Sequence, residues 1–204
     1  HAHNHVMKKF GYPTKSTDEI RNLVGKGAGA LIGRSIWGQA KKEFHSVNDL
    51  KTKDEMSKEF LNYYGKNIIS ESTLINGVKE FLIWCKEQNI SMAVCTNKQE
   101  HLSNDLLKKI GIYDFFEYVA GSDTFDYCKP DPRHLTSVIE ILDGDVKKTI
   151  MIGDSETDAN AAKAAEIPVI LLENGYTEKN TTEIYHNHLI KDFINIEKII
   201  SKYF

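Results

Sequence analysis

A short apolar run, Thr149-Ile150-Met151-Ile152, ends in Gly153-Asp154, and a small-residue helix pattern begins at once with Ser155-Glu156-Thr157-Asp158-Ala159-Asn160-Ala161-Ala162. A buried strand that feeds directly into an alanine-rich helix is the joint of a βαβ unit, since parallel strands need a crossover and small residues let the helix lie close to the sheet. That joint points the chain toward a parallel α/β sheet. It also sets two carboxylates, Asp154 and Asp158, four residues apart at the carboxyl end of a strand. Open α/β sheets bind their ligands there.

The rest of the chain divides around this feature. Up to residue 70 the apolar spacing is helical throughout. Helices are expected over His1–Phe10, Thr17–Val24, Ala28–Phe44 (with Ile32, Ile36, Trp37, Ala40 and Phe44 on one face) and Lys53–Tyr64, with Gly11, Gly25 and Gly65 as stops. After Ile75 strands and helices alternate. Helices fit Val78–Glu87, Leu102–Ile110, Leu135–Leu142, Glu156–Ala165 and Ile196–Tyr203. Buried strands fit Ser91–Cys95, Glu117–Ala120, Thr149–Ile152 and Val169–Leu172, with an edge strand at Leu189–Ile190. Alternation of this kind predicts an α/β fold, a parallel sheet covered by helices on both faces. The expected division is a helical-bundle domain over 1–70 and an α/β domain over 71–204, with the boundary near 66–75.

Composition narrows the function classes. With 26 Lys+Arg against 29 Asp+Glu the net charge is −3, which offers nothing to a nucleic acid or an anionic membrane. No apolar run approaches the roughly 20 residues of a membrane span, and the polar, His-rich first residues do not read as a leader. Cys85, Cys95 and Cys128 show neither CxxC nor metal spacing, and a reduced, cytoplasmic protein is expected.

Three strand ends carry polar residues that a core does not need. The first is Thr96-Asn97-Lys98, where a hydroxyl and the following N–H groups suit a phosphate; capping of the helix that begins near Gln99 is the alternative. The second is Lys129-Pro130-Asp131-Pro132, an acidic cap followed by Pro at the first helical position. Pro130 biases Lys129 toward an extended conformation, so its ammonium can project toward a phosphate; a surface lysine is the alternative. The third is Asp154 with Asp158, a carboxylate pair suited to Mg²⁺. Ser155 and Asp158 also match an S-x-x-D capping box, which explains both without a metal.

Together, and in this order, the motifs resemble those of the haloacid dehalogenase superfamily, in its phosphoglycolate phosphatase-like branch. Thr96-Asn97-Lys98 resembles the second motif, Lys129-Pro130 the third, and Gly153-Asp154-Ser155 with Asp158 the fourth. The resemblance implies a Rossmann-like core with a helical cap over residues 1–70, and a hydrolase acting on a small phosphorylated metabolite. It also implies catalysis through an aspartyl-phosphate, with Thr96, Asn97 and Lys129 holding the phosphoryl group and Mg²⁺ bound by Asp154 and Asp158. In related caps the turn equivalent to Gly25-Lys26-Gly27 faces the site, so Lys26 and Arg34 are candidates for a substrate carboxylate.

The family's first motif, Asp-x-Asp-Gly-Thr after the first strand, does not occur in these 204 residues. The missing strand belongs in the middle of the family's sheet, and its loss would leave backbone groups unpaired. The chain is therefore expected to be a truncated form of a complete phosphatase, inactive as it stands. The alternative is a stable remnant whose gap another chain or a rearrangement fills. Rival functions are a phosphosugar mutase or pyrophosphatase of the same fold, and a non-catalytic phosphate-binding protein. His1, His3 and His5 read either as remnants of a tag or as part of a native first helix. Oligomeric state is not encoded in any of these features.

Overall fold

The computed structural model describes residues 1–38, 46–70, 72–177 and 179–203. Contacts divide the chain into two units, one built on His1–Ile68 with a short segment at Tyr176, the other on Ile69–Gly175 and the chain from Lys179 onward.

The first unit is helical: α1 (Ala2–Lys9), α2 (Thr17–Arg21), α3 (Ala28–Trp37) and α4 (Val47–Lys66). Its core joins Val6 and Met7 of α1, Ile32 of α3 and Met56 of α4, ringed by Phe10, Tyr12, Ile36 and Phe60. α4 begins six residues before the predicted Lys53, because Ser46 and Asp49 form a reciprocal capping box, with Asp49 N–H to Ser46 Oγ at 3.1 Å and Ser46 N–H to Asp49 Oδ2 at 3.0 Å. It then runs through Gly65 instead of stopping there. α3 ends at Trp37, before a Gly38 with φ of 63°. Ala40 and Phe44 lie outside the described residues. His3 and His5 are integrated into α1: His3 is buried against Ser35, its Nε2 2.7 Å from Oγ, and His5 stacks on Tyr63 at 3.9 Å.

The second unit alternates as the sequence predicts: α5 (Val78–Glu87), β1 (Ala93–Cys95), α6 (Glu100–Lys109), β2 (Tyr118–Ala120), α7 (Arg133–Ile141), β3 (Met151–Gly153), α8 (Glu156–Ala164), β4 (Val169–Leu172), β5 (His188–Ile190) and α9 (Glu197–Ile200). Every strand pairing is parallel. Ala93 lies opposite Tyr118, Met151 opposite Val169, and Ile170 opposite His188.

β4 shows why helices cover both faces. Side chains alternate across a strand, and Val169 and Leu171 enter one core with Leu135, Ile139 and the α8 residues Ala159, Ala161 and Ala162. Ile170 enters the other, with Phe81 and Cys85 of α5 and Ile196 and Ile200 at the C-terminal helix.

The strands form a pair, β1-β2, and a triplet, β3-β4-β5, rather than one continuous sheet. Among the described residues β1 pairs only with β2, and β3 only with β4. β1 was expected to be buried, yet Ala93, Val94 and Cys95 are all half-buried, as are the β3 residues. Val169, Ile170 and Leu171 of β4, which is paired on both sides, are by contrast fully buried.

Candidate active site

All three polar strand ends fall within the α/β unit, and a single lysine links them. Lys129, on the loop between β2 and α7, is buried, with 6% of its surface exposed. Its Nζ donates to the Cys95 carbonyl at the end of β1 and to Asp158 Oδ1 at 2.6 Å, on the first turn of α8. The peptide that precedes Pro130 is cis. An ammonium carries three N–H donors and no acceptor, so a third N–H of Lys129 remains to be directed elsewhere.

At the first strand end, Thr96 N–H continues the ladder to Ala120 O at 2.9 Å, and Thr96 Oγ1 accepts the Lys98 N–H at 3.2 Å. Neither Thr96 nor Asn97 caps α6. Asp123 does so from the loop after β2, accepting the Glu100 N–H at 2.8 Å. The Asn97 amide instead donates to the Lys129 carbonyl at 2.8 Å. The loop after β2 is pressed onto the start of α6, and a Cβ at Gly121 would collide with the Glu100 backbone nitrogen.

Asp131 sits one residue upstream of the cap position, which Pro132 occupies. Its carboxylate accepts the Arg133 N–H at 2.9 Å and the Arg133 guanidinium at 2.6 Å, and these bonds hold its pKa down to about 2.

At the third strand end, Ser155 caps α8 and Asp158 closes the capping box. Asp158 Oδ2 accepts the Asp154 N–H at 3.0 Å, the Ser155 N–H at 3.1 Å and the Ser155 hydroxyl at 2.7 Å. Burial alone would raise the Asp158 pKa, but the Lys129 ammonium, the Ser155 hydroxyl and the Asp154 N–H outweigh it and lower the value. Asp158 therefore ties Lys129 to the Asp154 turn. Two glycines make the turn possible: a Cβ at Gly153 would strike Asp158, and one at Gly175 would strike the Asp154 carbonyl.

Mg²⁺ takes one or two carboxylates, keeps several waters and accepts substrate phosphoryl oxygens, so it needs no all-protein cage. Asp154, at the strand end, suits that donor set. Asp158 suits it poorly as a direct ligand, because both of its oxygens are engaged by protein donors. Among the described residues no group of three His, Cys, Asp or Glu side chains converges as a metal cluster.

Lys26 and Arg34 belong to the helical unit. Lys26 is exposed, and Arg34 donates to the carbonyls of Leu23 at 3.3 Å and Asn22 at 3.0 Å, bracing the turn before α3. Cys85, Cys95 and Cys128 are free thiols, and desolvation raises Cys85 and Cys95 to about 11. Among the described residues no helix is long and apolar enough to cross a membrane.

Sequence reasoning passed over His134, Gly121 and Gly175. His134 carried a signal: it precedes Val138 by one helical turn on a face otherwise made of Leu135, Val138 and Ile139. A polar residue on a buried helical face needs a partner. The two glycines carried none, since their role is to leave space for backbone distant in sequence.

A parallel α/β core with its polar residues gathered at the strand ends, joined to a helical unit, is a Rossmann-like architecture. Residues 1–172 match the family described as haloacid dehalogenase-like hydrolase, and the chain belongs to it. It is 37% identical over 190 residues to a phosphoglycolate phosphatase of Mesorhizobium japonicum, covering 93% of this chain and 82% of that protein. It is 35% identical over 205 residues to the phosphoglycolate phosphatase of Agrobacterium fabrum, covering 98% and 85%. Among solved structures, a predicted phosphoglycolate phosphatase from Haemophilus somnus 129pt superposes with a TM-score of 0.87 at 27% identity, covering 97% of this chain and 88% of that one. A β-phosphoglucomutase from Clostridium difficile shares the fold, with a TM-score of 0.78 at 22% identity over 99% and 87% of the two chains. By family the protein is a phosphatase-type hydrolase of the phosphoglycolate phosphatase-like branch.

Proposed function

We propose that the α/β unit is the phosphoryl- and Mg²⁺-binding part of a phosphomonoester hydrolase, with 2-phosphoglycolate as the leading substrate. The observation that supports it most is Lys129, buried between the end of β1 and the first turn of α8, with two of its donors engaged and a third to spend. Beside it, Thr96 Oγ1 accepts from Lys98 N–H, so its own proton is left to donate. These two donors suit the non-bridging oxygens of a phosphoryl group, where charge must be stabilised during transfer. Asp154 would hold the Mg²⁺, which when bound supplies further charge neutralisation at the same oxygens. Asp158 fixes both Lys129 and the Asp154 turn. Lys26 and Arg34 are proposed to select a substrate carboxylate, and the division into a cap over 1–70 and a core over 71–204 belongs to the same reading, as does a cytoplasmic location.

In this reaction class a carboxylate attacks phosphorus and forms an acyl phosphate while the alcohol leaves with a proton, and water then cleaves the acyl phosphate. No Asp-x-Asp-Gly-Thr in these 204 residues supplies that carboxylate. We therefore expect this chain alone to bind phosphate and Mg²⁺ without turnover. A second reading is a non-catalytic phosphate-binding protein. Calorimetry with inorganic phosphate and Mg²⁺, run beside turnover on 2-phosphoglycolate, tests both. Mg²⁺-dependent turnover at an ordinary enzymatic rate would overturn the inactivity, and an absence of phosphate binding would overturn the site.

A further inference from the structure

Lys129 is gripped by its backbone as well as by its ammonium. Its carbonyl accepts from the Asn97 amide at 2.8 Å, and its N–H donates to His134 Nδ1 at 3.2 Å. The opposite ring nitrogen, Nε2, lies 3.1 Å from the Gly121 carbonyl, just beyond β2. A backbone N–H can only donate and a carbonyl can only accept. The His134 ring must therefore be neutral, with Nδ1 bare and the proton on Nε2.

The ring is fully buried, and Phe125 meets it edge-on with centroids 5.8 Å apart. The charged groups that act on it are Lys129 and Asp131 of the preceding loop. Cys95 of β1 donates its thiol to the His134 carbonyl at 3.4 Å. Burial, together with Lys129, lowers the His134 pKa.

We infer that His134 is a positioning residue for Lys129: in its neutral Nε2–H form it ties the Lys129 peptide to the Gly121 carbonyl and so aims the ammonium between the end of β1 and Asp158. The inference rests on Lys129 as the phosphoryl-binding group. A free lysine side chain samples many rotamers. Fixing both peptide groups of Lys129 sets where that side chain starts, and Cys95 O and Asp158 set where it ends. Protonation of His134 would place an N–H against the Lys129 N–H and open the grip, so acidification acts on Lys129 through this ring.

The test uses the full 204-residue chain, with H134N and H134Q. Asn keeps an acceptor near the Nδ1 position. Gln keeps a donor near Nε2 but offers nothing to the Lys129 N–H. By NMR, the wild-type ring should show a bare Nδ1 and a protonated Nε2, with a slowly exchanging Lys129 amide that moves only as His134 titrates at low pH. That slow exchange should persist in H134N and be lost in H134Q. Calorimetry with inorganic phosphate should show affinity weakened about fivefold to tenfold in H134Q, the equivalent of one lost hydrogen bond, and largely retained in H134N.

A ring protonated on Nδ1, or equal effects of the two variants on Lys129 and on phosphate, would overturn the inference. If the variants fail to fold, the wild-type tautomer and the coupled titration decide alone. A wild-type chain that binds no phosphate, yet shows the predicted tautomer and linked titration, would remove the functional reading of Lys129 and leave the grip intact.

Discussion

The two units bury polar groups in opposite ways. In the helical unit, among the described residues, one polar side chain is buried, His3, and its ring bonds the neighbouring Asn4 and ties α1 to α3 through Ser35. In the α/β unit Lys129, His134, Ser155 and Asp158 are buried together and bonded to one another. A core that only holds helices together does best with apolar packing, such as that of Val6, Met7, Ile32 and Met56. A buried ion pair is weak evidence for stability, since desolvation can outweigh the attraction. Its placement at the strand ends is better explained by chemistry. The difference teaches where to look for function: at the charge that burial does not need.

The largest effect should come from breaking that pair. Asp158→Ala leaves the Lys129 ammonium buried without its carboxylate, and removal of one partner from a buried pair costs about 3–5 kcal/mol. Urea unfolding should show that loss, and calorimetry should show phosphate binding lost with it. Met56→Ala, a cavity in the helical core, should cost about 2–5 kcal/mol while phosphate affinity in the α/β unit is unchanged. Loss of phosphate binding in Met56→Ala would erase the contrast between the units.

Smaller effects should come from the two capping boxes. Ser46→Ala and Ser155→Ala each remove an N-cap, worth about 1 kcal/mol. Only Ser155→Ala also withdraws a hydrogen bond from Asp158, so it alone should weaken phosphate binding. Equal behaviour of the two in thermal unfolding and calorimetry would mean that Ser155 is a cap and nothing more.

The smallest effect, and the one that samples both units, is pH. His3, His134 and Asp158 all have lowered pKa values in the folded state. A lowered pKa means that the unfolded chain binds the proton more readily, so the stabilisation is present above the unfolded value and is lost as pH falls. Tm should therefore begin to fall as pH drops below about 6.5, where unfolded histidine titrates, and fall further below about 4, where Asp158 joins. Glu19 and Glu59 of the helical unit and Asp131 of the α/β unit also have lowered values, so the lower step should shrink, not vanish, in Asp158→Ala.

Much of the architecture was legible because it follows from local pattern. The bounds of α5 and β4 coincide with those predicted, as a helical stripe and a short apolar run each have one reading at those lengths. α4 was cut short because its first turn, Val47-Asn48-Asp49, carries no continuous apolar stripe, and the Ser46–Asp49 box marks its start. The half-burial of β1 was not legible, since an apolar run reports its composition and not its neighbours. At the site, the S-x-x-D spacing allowed Asp158 to be a cap or a metal ligand. Its bond to Lys129 spans 29 residues and is a product of packing that no local spacing encodes. His134 was missed for a related reason: its partners, Lys129 and Gly121, are loop backbone groups.

The division of the strands into a pair and a triplet has a practical consequence. A strand paired on one side only presents a rail of backbone donors and acceptors along the other, which is how chains come to stick to one another. Among the described residues β1, β2, β3 and β5 are each paired on one side only, and each is three residues long, which limits the hold any one contact can gain.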